Sequence, residues 1–228
     1  MKQLRLLSYN VRNCRGLDIP AQQDVARIAR VIKEQAPDLV ALQELDRGTE
    51  RSSGRDILAE LAELTGLEGV YAPAINYNGG EYGHGLLTRW CPRRHYKIPL
   101  PGREEVRALL VSEFDDFVFF STHLSLTPES QIEAVHLINR ELGLFKKPAF
   151  MAGDFNAEPE SVTLRLVEQR WSRLSPLQFT FPADLPDRVI DYIFAVKGAG
   201  VEVLEAAVIE EPAASDHRPV FVKVGFNL

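Results

Sequence analysis

Short apolar runs alternate with amphipathic segments along the 228 residues of the chain. Apolar residues at positions 25, 28, 29, 31 and 32 stand among charges at a spacing that is typical of a helix. The predicted helices cover residues 21–35, 55–65, 128–144 and 161–168. Compact apolar runs bounded by turn-forming residues predict strands. The predicted strands cover residues 4–9, 38–42, 68–74, 83–88, 106–113, 117–122, 149–152, 189–196, 201–210 and 219–224.

Residues with special backbone preferences mark the ends of several of these elements. Pro37 ends the first helix because proline disfavours the helical conformation in the residue before it. Gly66 is expected to cap the second helix at its C-terminus, and Thr127 to cap the third at its N-terminus before Pro128. The run Asn78-Gly79-Gly80 predicts a turn between two strands.

The order of these elements indicates the fold class. Strands outnumber helices, and neighbouring strand pairs dominate the middle and the end of the chain. This predicts an α+β protein with a mainly antiparallel two-sheet core that is flanked by helices. A length of 228 residues and a hydrophobic content of 45% suffice for one well-buried domain. We therefore expect a single domain over residues 1–228.

Polar residues whose side chains can bind a metal ion or transfer a proton stand at the ends of the predicted strands. They are Asn10, Glu44, His123, Asp154, Asn156, Asp191, Asp216 and His217. Each could separately cap a turn or a helix. That reading weakens when all are taken together, because one apolar run after another would have to end in such a residue by chance. Asp191, which stands amid apolar neighbours, is hard to explain as part of a solvated face, because an unpaired buried carboxylate is costly.

This set of residue types favours a metal-assisted reaction. Carboxylate and amide oxygens suit Mg²⁺ or Mn²⁺ better than Zn²⁺. Such ions neutralise the charge that develops on phosphate oxygens in a transition state. The two histidines add proton transfer or hydrogen bonds. The residues alone thus predict a metal-dependent hydrolase, with a phosphoester as the best substrate guess.

Charge and cysteine content exclude other classes. The net charge is −6, which argues against nonspecific binding to a polyanion. The segment that carries Arg93, Arg94, His95 and Lys97 could form a local basic groove, although a solvated turn is favoured. Cys14 and Cys91 lack the spacing of a zinc site, and we expect two free thiols. With no apolar stretch long enough to span a membrane, we expect a soluble, cytoplasmic protein.

Seven segments in order carry a resemblance to a known family. They are Ser8-Tyr9-Asn10-Val11, Gln43-Glu44, Tyr82-Gly83-His84-Gly85-Leu86-Leu87-Thr88-Arg89, Ser121-Thr122-His123-Leu124, Gly153-Asp154-Phe155-Asn156, Ile190-Asp191-Tyr192-Ile193 and Ser215-Asp216-His217-Arg218-Pro219. Together they resemble the endonuclease/exonuclease/phosphatase superfamily, whose members include DNase I-type nucleases and neutral sphingomyelinases. The resemblance implies a DNase I-like, four-layer αββα sandwich and a monomer. It implies in-line attack of an activated water, with Mg²⁺ (or Mn²⁺) as the cofactor.

The resemblance also implies roles for individual residues. Metal binding would fall to Glu44, Asn10 and Asp216. Asp154 would activate the attacking water. His217 would bond the scissile phosphate or move a proton, and Asp191 would fix its ring. Phosphate oxygens would be bound by Asn156 and His123.

Two further residues are weaker candidates for substrate binding. Many relatives carry asparagine where this chain has His84, which could bond a phosphate or could be a structural histidine. Arg107 lies in an apolar strand, where it could reach the site or pair with a neighbouring carboxylate.

The substrate is the least determined feature. The short acidic chain lacks the basic inserts of the nuclease branches, and Trp90 and Trp171 suit core packing better than base stacking. We therefore favour a small-molecule or lipid-like phosphodiester or phosphomonoester. A DNA or RNA endo- or exonuclease is the runner-up. An inactive binding module of the same fold is the alternative from another class, disfavoured because Glu44, Asp154 and His217 are all present.

Overall fold

The computed structural model describes residues 1–227 of the chain. It contains twelve strands and four α-helices. The strands are β1 (Lys2–Asn10), β2 (Leu39–Arg47), β3 (Glu68–Tyr77), β4 (Gly80–Thr88), β5 (Arg94–Leu100), β6 (Arg107–Glu113), β7 (Val118–His123), β8 (Ala149–Asp154), β9 (Trp171–Arg173), β10 (Asp191–Val196), β11 (Glu202–Val208) and β12 (Val220–Phe226). The helices are α1 (Val25–Gln35), α2 (Ile57–Thr65), α3 (Pro128–Leu142) and α4 (Val162–Val167).

The strands form two six-stranded sheets. The first has the order β11-β12-β1-β2-β4-β3, and the second has the order β5-β6-β7-β8-β10-β9. Pairing is antiparallel except for β1 with β2 and β7 with β8, which are parallel. In both sheets a parallel pair therefore lies at the centre, and antiparallel strands extend the sheet towards its edges. The predicted mainly antiparallel two-sheet core is confirmed.

Three apolar clusters separate four layers. One cluster lies between the sheets and takes Leu6 from β1 and Phe150 from β8. A second packs α1 and α2 on the outer face of the first sheet, and it contains Leu7, the neighbour of Leu6. A third packs α3 and α4 on the second sheet around Trp171. Because successive strand residues face opposite sides, both faces of each central strand are apolar. The sandwich is thus αββα, as expected.

Helix boundaries follow from local capping. The Asp24 side chain accepts a hydrogen bond from the backbone N–H of Arg27, so α1 begins at Val25 rather than at residue 21. Gly66 ends α2 with φ of 74°, the left-handed conformation that glycine adopts without strain. Thr127 occupies the N-cap position of α3, but its side chain makes no capping hydrogen bond. The predicted position of Thr127 is therefore confirmed, but the capping hydrogen bond from its side chain is not formed.

The strand at residues 94–100 was missed by the sequence analysis. It is an edge strand whose residues are mostly exposed, so it lacks the apolar alternation that marks the others. Arg94, His95 and Lys97 lie in this strand, so the solvated turn that was favoured over a basic groove was wrong. Arg94 pairs with Glu113 at 2.6 Å, Arg93 pairs with Asp115, and the Lys97 ammonium donates to the carbonyl of Pro73.

Other elements outside the active region also bear on the predictions. The Trp171 side chain is buried in the core and donates to Asn139, as expected for a packing residue. Trp90 follows the far end of β4 and is 40% exposed. Cys14 is buried and Cys91 is exposed, and neither forms a disulfide. Among residues 1–227, no helix is long and apolar enough to cross a membrane.

Candidate active site

Strand register brings the polar strand ends of the second sheet together. Asp154, the last residue of β8, is the cross-strand partner of His123 on β7 and of Asp191 on β10. His217 lies in the loop before β12, and its ring reaches Asp191 from the first sheet's side of the sandwich. These four side chains are all buried. Strand register thus brings titratable residues that are far apart in the sequence into one cluster.

The close approach of two strands explains the glycine before Asp154. A Cβ atom at Gly153 would lie 2.0 Å from the carbonyl oxygen of Thr122 on β7. That distance is too short for any residue with a side chain. Gly153 is an ordinary member of β8, and the strand continues to Asp154 rather than ending at residue 152. The glycine therefore serves the close packing of β7 and β8.

A bulge in β2 directs Glu44 into the same region. The pairing of β2 with β4 shifts register between Leu42 and Leu45, and Glu44 has a φ of 60°. A non-glycine residue in this left-handed conformation is strained, which is frequent at functional positions. Strand β2 continues past the bulge to Arg47, so Glu44 lies within it and not at its end.

Asn10 ties Glu44 to Asp154. The Asn10 amide nitrogen donates to Glu44 Oε1 at 3.0 Å and lies 3.1 Å from Asp154 Oδ2. Its oxygen accepts instead from the backbone N–H of Arg12 at 3.1 Å. In this orientation Asn10 acts as a hydrogen-bond donor that aligns two carboxylates. Its predicted role as a metal ligand stays a prediction.

Asp154 is the meeting point of the site. Its Oδ1 accepts from the backbone N–H of Asn156 at 2.8 Å. Its Oδ2 lies 3.4 Å from His123 Nε2 and 3.7 Å from His217 Nε2. Burial, together with the charge of Asp191, raises the pKa of Asp154 to about 7, although His217 opposes the shift. A carboxylate with a pKa near neutrality is suited to taking a proton.

His217 is held by an anion. Its Nδ1 donates to Asp191 Oδ2 at 2.9 Å, and the same oxygen accepts from the Thr180 hydroxyl at 2.6 Å. Burial favours the neutral ring, but the charges of Asp191 and Asp154 outweigh it and raise the pKa of His217 to about 10. The Asn10 amide donates its two hydrogens to Glu44 and Asp154, so His217 Nε2 need not accept a hydrogen bond from it. With its pKa raised in this way, His217 carries protons on both nitrogens at neutral pH.

His123 is held by a cation instead. The Arg107 Nη1 atom lies 3.2 Å from His123 Nδ1. Burial, together with the charge of Arg107, keeps the pKa of His123 well below its usual range. Arg107 is itself buried and pairs with Glu104 at 3.1 Å and with Glu105 at 3.0 Å. The two histidines beside Asp154 thus differ in charge at neutral pH.

The contacts of His84 do not suit the hydrogen bond to phosphate that was considered for it. Its Nε2 lies 3.1 Å from the carbonyl oxygen of Ser121 on β7, and a carbonyl can only accept, so Nε2 carries the ring proton. Burial lowers the pKa of His84 to about 4, which keeps the ring neutral. This histidine links the two sheets. Its other nitrogen is an acceptor and has no hydrogen to offer a phosphate.

Asn156 and Asp216 complete the predicted set. Asn156 has a φ of 47° and donates one amide hydrogen to the carbonyl of Leu124 at 3.0 Å. The second hydrogen of that amide remains for another acceptor. Asp216 lies beside the guanidinium of Arg12, with 3.4 Å between Nε and Oδ2.

Sequence reasoning missed three supporting residues of this region. Arg12, Thr180 and Glu104 belong to no motif, and each acts on a site residue through a contact made by folding. The only available signal was the position of Glu104 three residues before Arg107, a spacing that suits a local ion pair.

The donor set fits a hard divalent cation. Burial, with the charge of Asp216, raises the pKa of Glu44, although the Asn10 hydrogen bond opposes this. A cation between the two carboxylates would relieve that cost, and oxygen donors are the ligands that Mg²⁺ prefers. Ligand atoms of Asp154, Asp191 and His217 also lie within 4.8 Å of one another. However, His217 Nδ1 already donates a hydrogen bond to Asp191. Glu44 and Asp216 are therefore more suitable metal ligands than this trio.

Solved structures share this fold. A TM-score of 0.81 relates the chain to the endonuclease/exonuclease/phosphatase from Beutenbergia cavernae DSM 12333, at 24% identity over 100% of this chain and 72% of that one. The Bacteroides thetaiotaomicron mannosyl-6-phosphatase Bt3783 gives 0.77 at 20% identity, covering 98% and 100%. The human Nocturnin catalytic domain with bound sulfate gives 0.69 at 17% identity, covering 99% and 95%. At these identities the likeness establishes the fold, which is DNase I-like.

The sequence itself matches a family model. The model describes the Endonuclease/Exonuclease/phosphatase family and matches residues 7–217, which include every residue of the site described above. Members of this family are hydrolases that act on phosphoester bonds and generally depend on a divalent metal. This chain belongs to the endonuclease/exonuclease/phosphatase family.

Proposed function

We propose that this protein is a Mg²⁺- or Mn²⁺-dependent hydrolase of a small-molecule or lipid-like phosphodiester or phosphomonoester. One observation carries the proposal. The Oδ2 atom of Asp154, whose pKa is about 7, lies within 3.7 Å of both His123 and His217. A proton acceptor flanked by two imidazoles can take a proton from water while the imidazoles bind the phosphate.

Glu44 and Asp216 are the residues that would hold the metal ion, with Asn10 fixing the Glu44 carboxylate through its amide. When bound, the ion supplies charge neutralisation at the phosphate oxygens. Glu44 is half-buried, so its carboxylate is partly shielded from bulk water while one edge stays open to a ligand.

The remaining residues would act on the water and the phosphate. Asp154 orients the attacking water and accepts its proton. His217, protonated and fixed by Asp191, donates a charged hydrogen bond to the phosphate or a proton to the leaving oxygen. His123 and the spare amide hydrogen of Asn156 bind the other phosphate oxygens. In-line attack of water on phosphorus then needs no covalent enzyme intermediate.

The substrate class rests on charge and on relatives. A net charge of −6 does not favour a long polyanion, and the cationic segment at residues 93–97 is paired or engaged. One structural relative is named a mannosyl-6-phosphatase, and another was solved with sulfate, a tetrahedral anion. These observations support a compact phosphoester.

The test is hydrolysis of bis-p-nitrophenyl phosphate and of p-nitrophenyl phosphate with Mg²⁺ or Mn²⁺, compared with the same protein in EDTA. Asp154→Ala should abolish release, whereas Asp187→Ala, at a carboxylate 76% exposed on a nearby loop, should not. Release of the diester product with loss in EDTA would support the proposal. Preference for single-stranded or duplex nucleic acid over both esters would favour a nuclease.

A second measurement addresses an inactive module. A ligand that binds the native state must raise the melting temperature. If wild-type protein shows neither hydrolysis nor a Mg²⁺-dependent rise in melting temperature, the proposed function is wrong.

A further inference from the structure

We propose that Arg107 is a positioning residue that fixes the tautomer of His123, so that His123 presents a neutral Nε2–H to the phosphate. The kinetic part of this inference rests on the proposed hydrolysis, and the spectroscopic part does not. Arg107 was first considered as a direct ligand for substrate. Its contacts point to a different role.

The tautomer follows from donor chemistry. A guanidinium has only N–H donors and stays protonated in proteins, so it cannot accept a hydrogen bond. The Arg107 Nη1 atom lies 3.2 Å from His123 Nδ1, and both side chains are buried. The ring must therefore use the lone pair of Nδ1 as an acceptor. In a neutral imidazole the proton is then on Nε2, the atom that faces Asp154.

The guanidinium has little left for a substrate. Its Nε and Nη2 both donate to Glu104 Oε1, at 3.3 and 3.1 Å. Its Nη1 pairs with Glu105 at 3.0 Å in addition to contacting His123. All three nitrogens of the guanidinium are thus engaged, and Arg107 is only 6% exposed. A phosphate that approached this arginine would have to displace a glutamate.

Glu104 ties this arrangement to the chain that follows His123. Besides holding Arg107, its carboxylate accepts from the Ser125 hydroxyl at 2.8 Å and from the backbone N–H of Leu126 at 2.9 Å. The loop before β6 and the loop after β7 are therefore joined through one carboxylate. The direction of the His123 ring is set from both sides.

The functional consequence concerns which atom meets the substrate. With the proton on Nε2, His123 donates a hydrogen bond to a phosphate oxygen near Asp154 without adding a charge. With the proton on Nδ1, the lone pair of Nε2 would face an anion and repel it. Arg107 removes the second arrangement, because Nδ1–H would point at a cation. A hydrogen bond to one ring nitrogen commonly fixes the tautomer and the orientation of a histidine.

The first experiment reads the tautomer directly. Two-bond ¹H–¹⁵N NMR of the five histidines, with the His123 signals assigned by their loss in His123→Ala, distinguishes protonated from unprotonated ring nitrogens. We expect Nδ1 unprotonated and Nε2 protonated in the wild-type protein, and a mixture in Arg107→Met. A wild-type Nδ1–H, or an unchanged tautomer in Arg107→Met, would overturn the inference. The wild-type spectrum alone decides the point if Arg107→Met does not fold.

The second experiment separates positioning from direct contact. Arg107→Met should lower kcat roughly 10–100-fold, the scale for losing the partner that orients a ligating or reacting histidine. In a His123→Ala background the same change should cost less than about twofold, because the effect passes through His123. An equal loss in both backgrounds would show that Arg107 binds substrate itself. Arg94→Met, at an exposed arginine paired with Glu113, controls for the removal of a charge.

The two experiments fail separately from the proposed function. If the wild-type protein hydrolyses no phosphoester, the proposed function falls, and the NMR spectrum still decides the tautomer. If hydrolysis is observed and the tautomer is not the expected one, only the role of Arg107 is lost.

Discussion

Two histidines approach the same carboxylate oxygen, and their second nitrogens meet groups of opposite charge. We call His217, Asp191 and Thr180 the His217 arm, and His123, Arg107, Glu104 and Glu105 the His123 arm. In the His217 arm, Nδ1 donates to the Asp191 carboxylate. In the His123 arm, Nδ1 accepts from the Arg107 guanidinium. The first arrangement raises the pKa of its histidine to about 10, and the second lowers it.

The comparison teaches that residue type alone does not assign a role at this site. Both rings are buried and both Nε2 atoms lie within 3.7 Å of Asp154 Oδ2. Because burial lowers the pKa of either ring, the charges around each ring distinguish them, and the largest of these charges is the partner on Nδ1. The His217 arm provides a cationic proton donor, and the His123 arm provides a neutral hydrogen bond. Four tests, each built on one substitution with its comparison, measure how far this difference extends.

The largest expected effect is the loss of His217. His217→Ala should lower kcat/KM by about 10³-fold or more, because it removes a charged donor that is enclosed from water. His123→Ala should cost about 10²-fold, the scale of one neutral donor to a developing charge. Steady-state kinetics on a diester with Mg²⁺ measures both values. Equal losses would mean that the two arms do the same work, and a His217→Ala variant above ~10% activity would remove His217 from the mechanism.

The partner of His217 should come next. Asp191→Asn keeps an oxygen for the ring Nδ1–H but removes the charge that stabilises the protonated form, so kcat should fall about 10²-fold. Thr180→Val is the matched control, since it removes the other hydrogen bond to Asp191 Oδ2 and leaves the charge in place. We expect that variant to retain kcat within about threefold. If the control lost as much as Asp191→Asn, hydrogen bonding rather than charge would define the His217 arm.

Much of this site could be predicted from the sequence, and the parts that could not depend on pairing. Asp154, His123 and Asp191 stand at strand ends, so the motifs indicate which residues can meet at one edge of a sheet. The antiparallel partnership of Asp191 with Asp154 is a detail of register that motifs do not contain. The DNase I-like fold was recognisable from seven ordered segments, but the parallel pair at the centre of each sheet was not predicted.

The partners on Nδ1 lay beyond prediction. Arg107 has two glutamates just before it in the sequence, and a local ion pair could be suspected. Its contact with His123 arises because the pairing of Leu109 with Thr122 brings the first residue of β6 beside the end of β7. Strand β5 was missed because edge strands carry polar residues on their exposed positions. Contacts between strands, not composition, therefore decide the charge of each ring.

A third test concerns Glu44, which belongs to neither arm. Glu44→Gln should weaken Mg²⁺ affinity about 10-fold or more, because a charged oxygen ligand becomes neutral. The tautomer of His123 and its contact with Arg107 should stay unchanged. Isothermal titration with Mg²⁺ and the histidine NMR spectrum measure the two outcomes. Unaltered Mg²⁺ affinity would show that the metal binds elsewhere, with the trio of Asp154, Asp191 and His217 as the next candidate.

The smallest expected effect tests the anionic support of the His123 arm. Burial opposes ionisation of Glu104, but backbone N–H groups, Ser125 and Arg107 outweigh it and lower its pKa to about 2 from 4.5. A group with a depressed pKa stabilises the fold above the unfolded value and loses that contribution as pH falls towards the folded value. Glu104→Gln should therefore reduce the free energy of unfolding by roughly 1–2 kcal/mol at neutral pH.

The pH dependence distinguishes this contribution from a general loss of packing. Between pH 4.5 and about 2 the wild type should lose its advantage over Glu104→Gln, since its carboxylate becomes protonated there. Urea unfolding of both proteins across that range measures the difference. Glu105→Gln is the matched control: that carboxylate has one ion pair with the same arginine and should cost less. A difference that is independent of pH would mean that Glu104 stabilises the fold by packing and not by its charge. Arg107 would then orient His123 without electrostatic support from Glu104.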